Sequence, residues 1–132
     1  MLAAICLILK LLGTIIAIVG WVDVRRFLAA HSAIETRSDF EAFKSLARRN
    51  MYMTLALLVF LLPAFFMGLY LVAVNSRVGL ALILTLDVPM LLISKVIKPL
   101  EAKARNLPCT PKFSKKYAQI CEVWINKPFP NF

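Results

Sequence analysis

The chain has 132 residues, 61% of them hydrophobic and 17% charged, whereas a soluble domain holds roughly 45–50% and about 25%. So small a fold buries too little surface to hide that excess, which excludes an ordinary water-soluble globule and assigns part of the surface to lipid. The formal net charge of +9 lies outside the apolar runs and carries no glycine-rich RNA signature or zinc-finger spacing, so it reads as the basic flanks of a membrane protein and argues against nucleic acid as a partner.

The first apolar run covers residues 2–22 and is interrupted once, by Lys10. The roughly 20 residues needed to cross about 30 Å of hydrocarbon are present. Nine uncharged residues precede Lys10, and the pair Arg25 and Arg26 follows the run. A cleaved signal has the reverse order, so a retained anchor is expected. Gly13, Ala17 and Gly20 set small residues along this helix, where they permit close helix packing.

Residues 23–50 form the first loop. Val24, Phe27, Leu28, His31 and Ile34 keep three- and four-residue spacing, so the first helix is expected to run on past the bilayer. Ser38 followed by Glu41 fits a capping box that starts a new helix near Asp39. Its apolar residues Phe40, Phe43, Leu46 and Ala47 lead into the second span. The expectation is a helical hairpin with Phe27 and Ile34 facing Phe40 and Phe43, the alternative being amphipathic pieces lying flat on the headgroups.

The second span, residues 51–74, has no charge, and Pro63 is expected to bend it. The third, residues 78–94 with a continuation to 97, is interrupted only by Asp87 before Lys95 is reached, and it carries Pro89. Pro99 is expected to end or bend that helix. These spans make residues 1–98 a transmembrane domain and residues 99–132 a tail. The fold class expected is an all-α, integral membrane three-helix bundle.

Lys and Arg counts orient it. Six lie in the first loop and eight from Lys95 onward, against Arg77 alone in the second loop. The rich side should be cytoplasmic, giving an N-out, C-in protein of the plasma (inner) membrane.

In the tail, Thr110 and Pro111 read as an N-cap followed by an N1 proline. Phe113, Tyr117, Ile120, Cys121 and Trp124 then form one stripe of an amphipathic helix, with Lys112, Lys115, Lys116 and Glu122 off it. Such a helix would rest on anionic lipid, aromatics down, or dock on the hairpin or on a partner. The prolines of residues 127–132 predict an extended end with two exposed phenylalanines.

Lys10 and Asp87 are the charges inside spans, where a pairing or functional role is the default. Each lies eight residues below the outer end of its helix, roughly 12 Å at 1.5 Å per residue. Opposite charges at one depth, on helices running the same way, are expected to pair within or between chains. The alternatives are a snorkelling Lys10 and a protonated Asp87.

No catalytic constellation is present. His31 is the one histidine, there is no zincin, Walker or Rossmann motif, and Cys6, Cys109 and Cys121 lack metal-site or disulfide-framework spacing. No cofactor and no enzymatic activity are expected. Three readings are open: a non-catalytic accessory or assembly subunit of a larger membrane complex; a small homo-oligomeric transporter or pore using Lys10 and Asp87; and a membrane-permeabilising protein of the layout seen in one class of phage holins, a likeness with no motif behind it. The partners expected are anionic lipid on the cytoplasmic side and other membrane subunits, or further copies of the chain.

Overall fold

A computed structural model describes residues 1–132, with every side chain but that of Leu86. The chain is helical throughout, and three of its helices are long and apolar enough to cross a membrane. α1 spans Leu2–Ala30 and α2 Arg37–Val74. α3 (Ser76–Leu82), a π-helical turn (Ile83–Asp87) and α4 (Val88–Arg105) run on as one rod of 30 residues. α5 spans Pro111–Asn126.

α1 and α2 are antiparallel and meet along one seam. The buried residues of α1 are Cys6, Lys10, Gly13, Ala17, Gly20, Val24 and Phe27. Their spacing alternates four and three, the 3.5-residue period of a left-handed coiled coil. Phe40, Phe43, Ala47 and Asn50, and later Ala64, Gly68 and Leu71, keep the same alternation on α2. At the centre Gly13 admits Leu61: a Cβ there would lie 2.6 Å from the Leu61 Cδ2 atom. Gly20 faces Met53 and Asn50 in the same way, at ordinary contact distance.

Turn chemistry sets the ends. α1 stops at His31, whose backbone is extended and whose Nδ1 lies 3.1 Å from the Phe27 carbonyl oxygen. α2 starts with a capping box two residues earlier than Ser38 and Glu41 predict. Thr36 Oγ1 accepts from Asp39 N–H at 3.1 Å, and Asp39 Oδ2 accepts from Thr36 N–H at 2.9 Å. The earlier box prevails because Thr36 also supplies the first carbonyl of the helical ladder, to Phe40 N–H. Those hydrogen bonds, the backbone N–H of Thr36 foremost, hold the Asp39 carboxyl below its ordinary pKa.

A single residue, Asn75, separates α2 from α3; its Oδ1 accepts from Val78 N–H. So tight a reversal presses Gly79 onto Val72, where a Cβ would lie 2.4 Å from the Val72 backbone nitrogen. The π turn comes just before Pro89, whose ring in α-helical register would crowd the Thr85 carbonyl; one extra residue in the turn relieves it. Of the two outcomes expected at Pro99, an end or a bend, the end does not occur. The helix continues to Arg105 because Ala104, one turn on, is fully buried and anchors its last turns.

The largest core lies in a helical head built from the end of α1, the start of α2 and α5. Phe43 is fully buried at its centre, with ring centroids 6.0 Å from Phe27, 4.6 Å from Tyr117 and 5.9 Å from Trp124. Phe27 and Phe43 thus meet across the hairpin. Ile34 and Phe40, by contrast, turn to the tail: Ile34 is bridged to Cys109, and Phe40 stacks on Phe113 at 5.4 Å. Arg49 pairs with Asp23 across α1 and α2. A second, smaller core of Cys6, Ala64 and Leu71 lies at the far end.

The rod is the least buried element. Of its most apolar 18-residue stretch none is buried among the described residues, against 22% for α1 and 11% for α2. It packs on α2 through α3 and on α1 through α4, so it crosses the face of the pair rather than filling a groove between them.

Candidate functional site

Two places gather polar side chains against apolar helices. The first is the charge pair. Lys10 Nζ donates to Asp87 Oδ2 at 2.6 Å. The α1 seam carries Lys10 inward, so its side chain is only 3% exposed, while that of Asp87 is 33% exposed at the end of the π turn. Gly68 of α2 faces the ammonium: a Cβ there would lie 3.7 Å from Nζ. One turn away Cys6 Sγ–H donates to the Ala64 carbonyl at 3.4 Å. The surroundings hold the pair from α1, α2 and the rod at once, and a charge-assisted hydrogen bond offsets much of the desolvation of either ion.

The second place is the rim between span and head. Asn50, a polar residue on the α2 seam, is 7% exposed and accepts through Oδ1 from Trp124 Nε1–H at 3.3 Å. Glu101 and Arg105 face it from α4, with their charged atoms 3.9 Å apart, and Arg105 also lies over the Trp124 ring. Burial raises the Glu101 carboxyl above its ordinary pKa, and Arg105, Asn50 and Lys98 oppose that rise. Two cavities open on either side of these residues. One of about 260 Å³ lies between α1, α2 and α4 and is walled by Ile16, Met53, Leu57, Met90 and Ile93. The other, about 440 Å³, lies between α2, α4 and α5 and reaches Lys127. Asn50, Thr54, Lys98 and Glu101 line both.

The remaining residues singled out in sequence fall as follows. Gly13, Ala17 and Gly20 lie in the α1–α2 seam, so their small size serves contact within the chain. The α5 stripe packs on the chain's own head. Tyr117, Ile120 and Trp124 are buried there, and Phe113 and Cys121 are half-buried against it. That docking is favoured over an interfacial resting place because Tyr117 closes the end of α4: its hydroxyl donates to the Ala104 carbonyl at 2.8 Å and accepts from Leu107 N–H at 3.1 Å. At the C-terminal end Phe129 is exposed, but Phe132 packs against the core and its carbonyl accepts from Arg48.

Sequence reasoning missed Asn50, Lys98, Glu101 and Arg105. Asn50 was legible in principle, since it occupies the same 3.5-residue register as Phe43 and Ala47. Among the described residues no three His, Cys, Asp or Glu side chains come together as a metal-binding group. No protein-family model, curated protein or solved structure matches the chain.

Proposed function

We propose that this chain is a non-catalytic accessory or assembly subunit of a larger membrane complex. In this reading it spans the plasma (inner) membrane three times, with its N-terminus outside and the helical head in the cytoplasm. Charge supports the orientation: fourteen Lys and Arg residues lie in residues 23–50 and 95–132, against Arg77 on the opposite side. The observation that carries the functional reading is the rod. An apolar helix whose most apolar 18-residue stretch its own chain leaves unburied presents a long surface to a neighbouring membrane helix, where packing rather than hydrophobicity drives association. Lys10, closed on Asp87 within the chain, then serves to fix which helices meet.

A second reading, a homo-oligomeric transporter or pore, draws on one observation. Asp87 is a third exposed and is the last residue of a π turn, an arrangement frequent at functional sites. Gentle extraction of the tagged protein from its native membrane, followed by intact-complex mass measurement, separates the two. A stoichiometric larger partner is expected. A clean homo-oligomer would overturn the accessory reading in favour of the transporter.

A further inference from the structure

We propose that the rim between span and head is a binding site for one anionic membrane phospholipid, with an acyl chain between α1, α2 and α4 and its phosphate at Lys98, Arg105 and Lys127. The site depends on the membrane placement above and not on the accessory role.

The cavities have the shape and chemistry for such an occupant. The space between the three helices is walled by apolar side chains from all of them, and it opens toward the head at Lys98 and Glu101. The second opening continues from the same residues to Arg105 and Lys127. Their volumes, about 260 and 440 Å³, fall in or just below the range of roughly 300–1,000 Å³ typical of small-molecule sites. Lys98 directly follows the third span, residues 78–97, so the cations stand at headgroup depth.

Charge complementarity selects the occupant. Three cations line the rim against one carboxylate, Glu101, which already faces Arg105 at 3.9 Å. Lys98 and Lys127 form no ion pair among the described residues. Their excess is matched by a phosphate, whereas a zwitterionic headgroup returns a positive charge to the same place. Asn50 is held by Trp124 and keeps the rim shaped.

The test is native mass spectrometry of the detergent-purified full chain, titrated with phosphatidylglycerol or phosphatidylcholine of identical acyl chains. A first bound phosphatidylglycerol, about tenfold tighter than phosphatidylcholine, is expected, since the unpaired lysines attract a headgroup of net negative charge more than a zwitterion. Lys98→Gln with Lys127→Gln should abolish the preference. Ser94→Phe, which fills the cavity between the helices, should weaken both lipids alike. Glu101→Gln should tighten phosphatidylglycerol binding, a gain that a variant damaging only the fold does not produce. Equal binding of the two lipids by the wild-type chain, or a preference unmoved by both the lysine and the Glu101 variants, would overturn the site. Carbonate extraction of the chain from its membrane is run alongside. A protein that is released refutes the membrane placement and the lipid site together, while a retained protein with no preference refutes the lipid site alone.

Discussion

Lys10 and Asp87 meet at 2.6 Å although 77 positions separate them, and the lysine is sealed while the aspartate keeps a third of its surface. Removing one partner from such a pair strands the other in an apolar setting. Lys10→Leu and Asp87→Leu are each expected to cost about 3 kcal/mol, the low end of the range for a broken buried pair because Asp87 is partly exposed. Joining the two substitutions should recover most of that loss. Unfolding in mixed micelles followed by circular dichroism checks this, and additive losses would show that the two charges act independently.

Gly79 and Gly68 look alike in sequence and differ in surroundings. A methyl on Gly79 would meet Val72 backbone at 2.4 Å, and backbone cannot move aside as a side chain can. Gly79→Ala should therefore destabilise the α2–α3 hairpin by about 1–3 kcal/mol. A methyl on Gly68 would lie 3.7 Å from the Lys10 ammonium, an ordinary contact. Gly68→Ala should be neutral or stabilising by up to about 1 kcal/mol, the helix-propensity difference. The same micelle titration distinguishes them.

The Trp124–Asn50 bond holds the last helix to the rim. Trp124→Phe keeps much of the aromatic volume and leaves Asn50 Oδ1 buried without its donor, at a cost of about 1–3 kcal/mol. The loss should be local. Trypsin cleavage after Lys112, Lys115 and Lys116 is expected to accelerate in this variant while sites in α2 stay protected, because α5 opens before the whole fold does.

The tail cysteines give a pH-dependent signature. Burial pushes the Cys121 thiol up to about 11, against the neighbouring Tyr117 hydroxyl and the charge of Arg105 that pull it down, and burial raises Cys109 as well. The thiolate is the nucleophile, so a raised pKa moves alkylation to higher pH. At pH 8, Cys121 in the folded chain should hold about a hundredfold less thiolate than an ordinary exposed cysteine, whose pKa is near 8.5. Site-resolved alkylation by iodoacetamide should be slow for Cys121 until the pH approaches 11 and fast at pH 8 once the protein is denatured. Rapid labelling of the folded chain at pH 8 would contradict the burial of this thiol.

The three long apolar helices were legible because apolar runs of that length leave few alternatives, and the Lys10–Asp87 juxtaposition because helical rise converts residue counts into depth. Thr36 and Ser38 show where local reading stops. Each begins a plausible capping box, and the ladder bond from Thr36 to Phe40 decides between them. Pro99 shows the reverse: the local rule leaves an end or a bend open, and with Ala104 buried beyond it the helix does not end there. The stripe on α5 was visible, but its partner was not, because an amphipathic face fits lipid and protein equally well until Tyr117 finds the end of α4. The rim cavities come from the divergence of α4 from α2, a property of the assembled fold with no local trace in the chain.

The bridge between Ile34 and Cys109 has a mechanical consequence. Ile34 N–H donates to the Pro108 carbonyl at 2.8 Å, and Thr110 N–H donates to the Ile34 carbonyl at 3.1 Å. The turn after α1 and the short connection after α4 are thereby riveted together. A connection clamped at its midpoint has no slack, so a tilt of the rod is not absorbed there and passes as torque into the turn between α1 and α2. The rod and the head are thereby tied at two places, the Ile34 bridge and the Tyr117 hydroxyl on the Ala104 carbonyl.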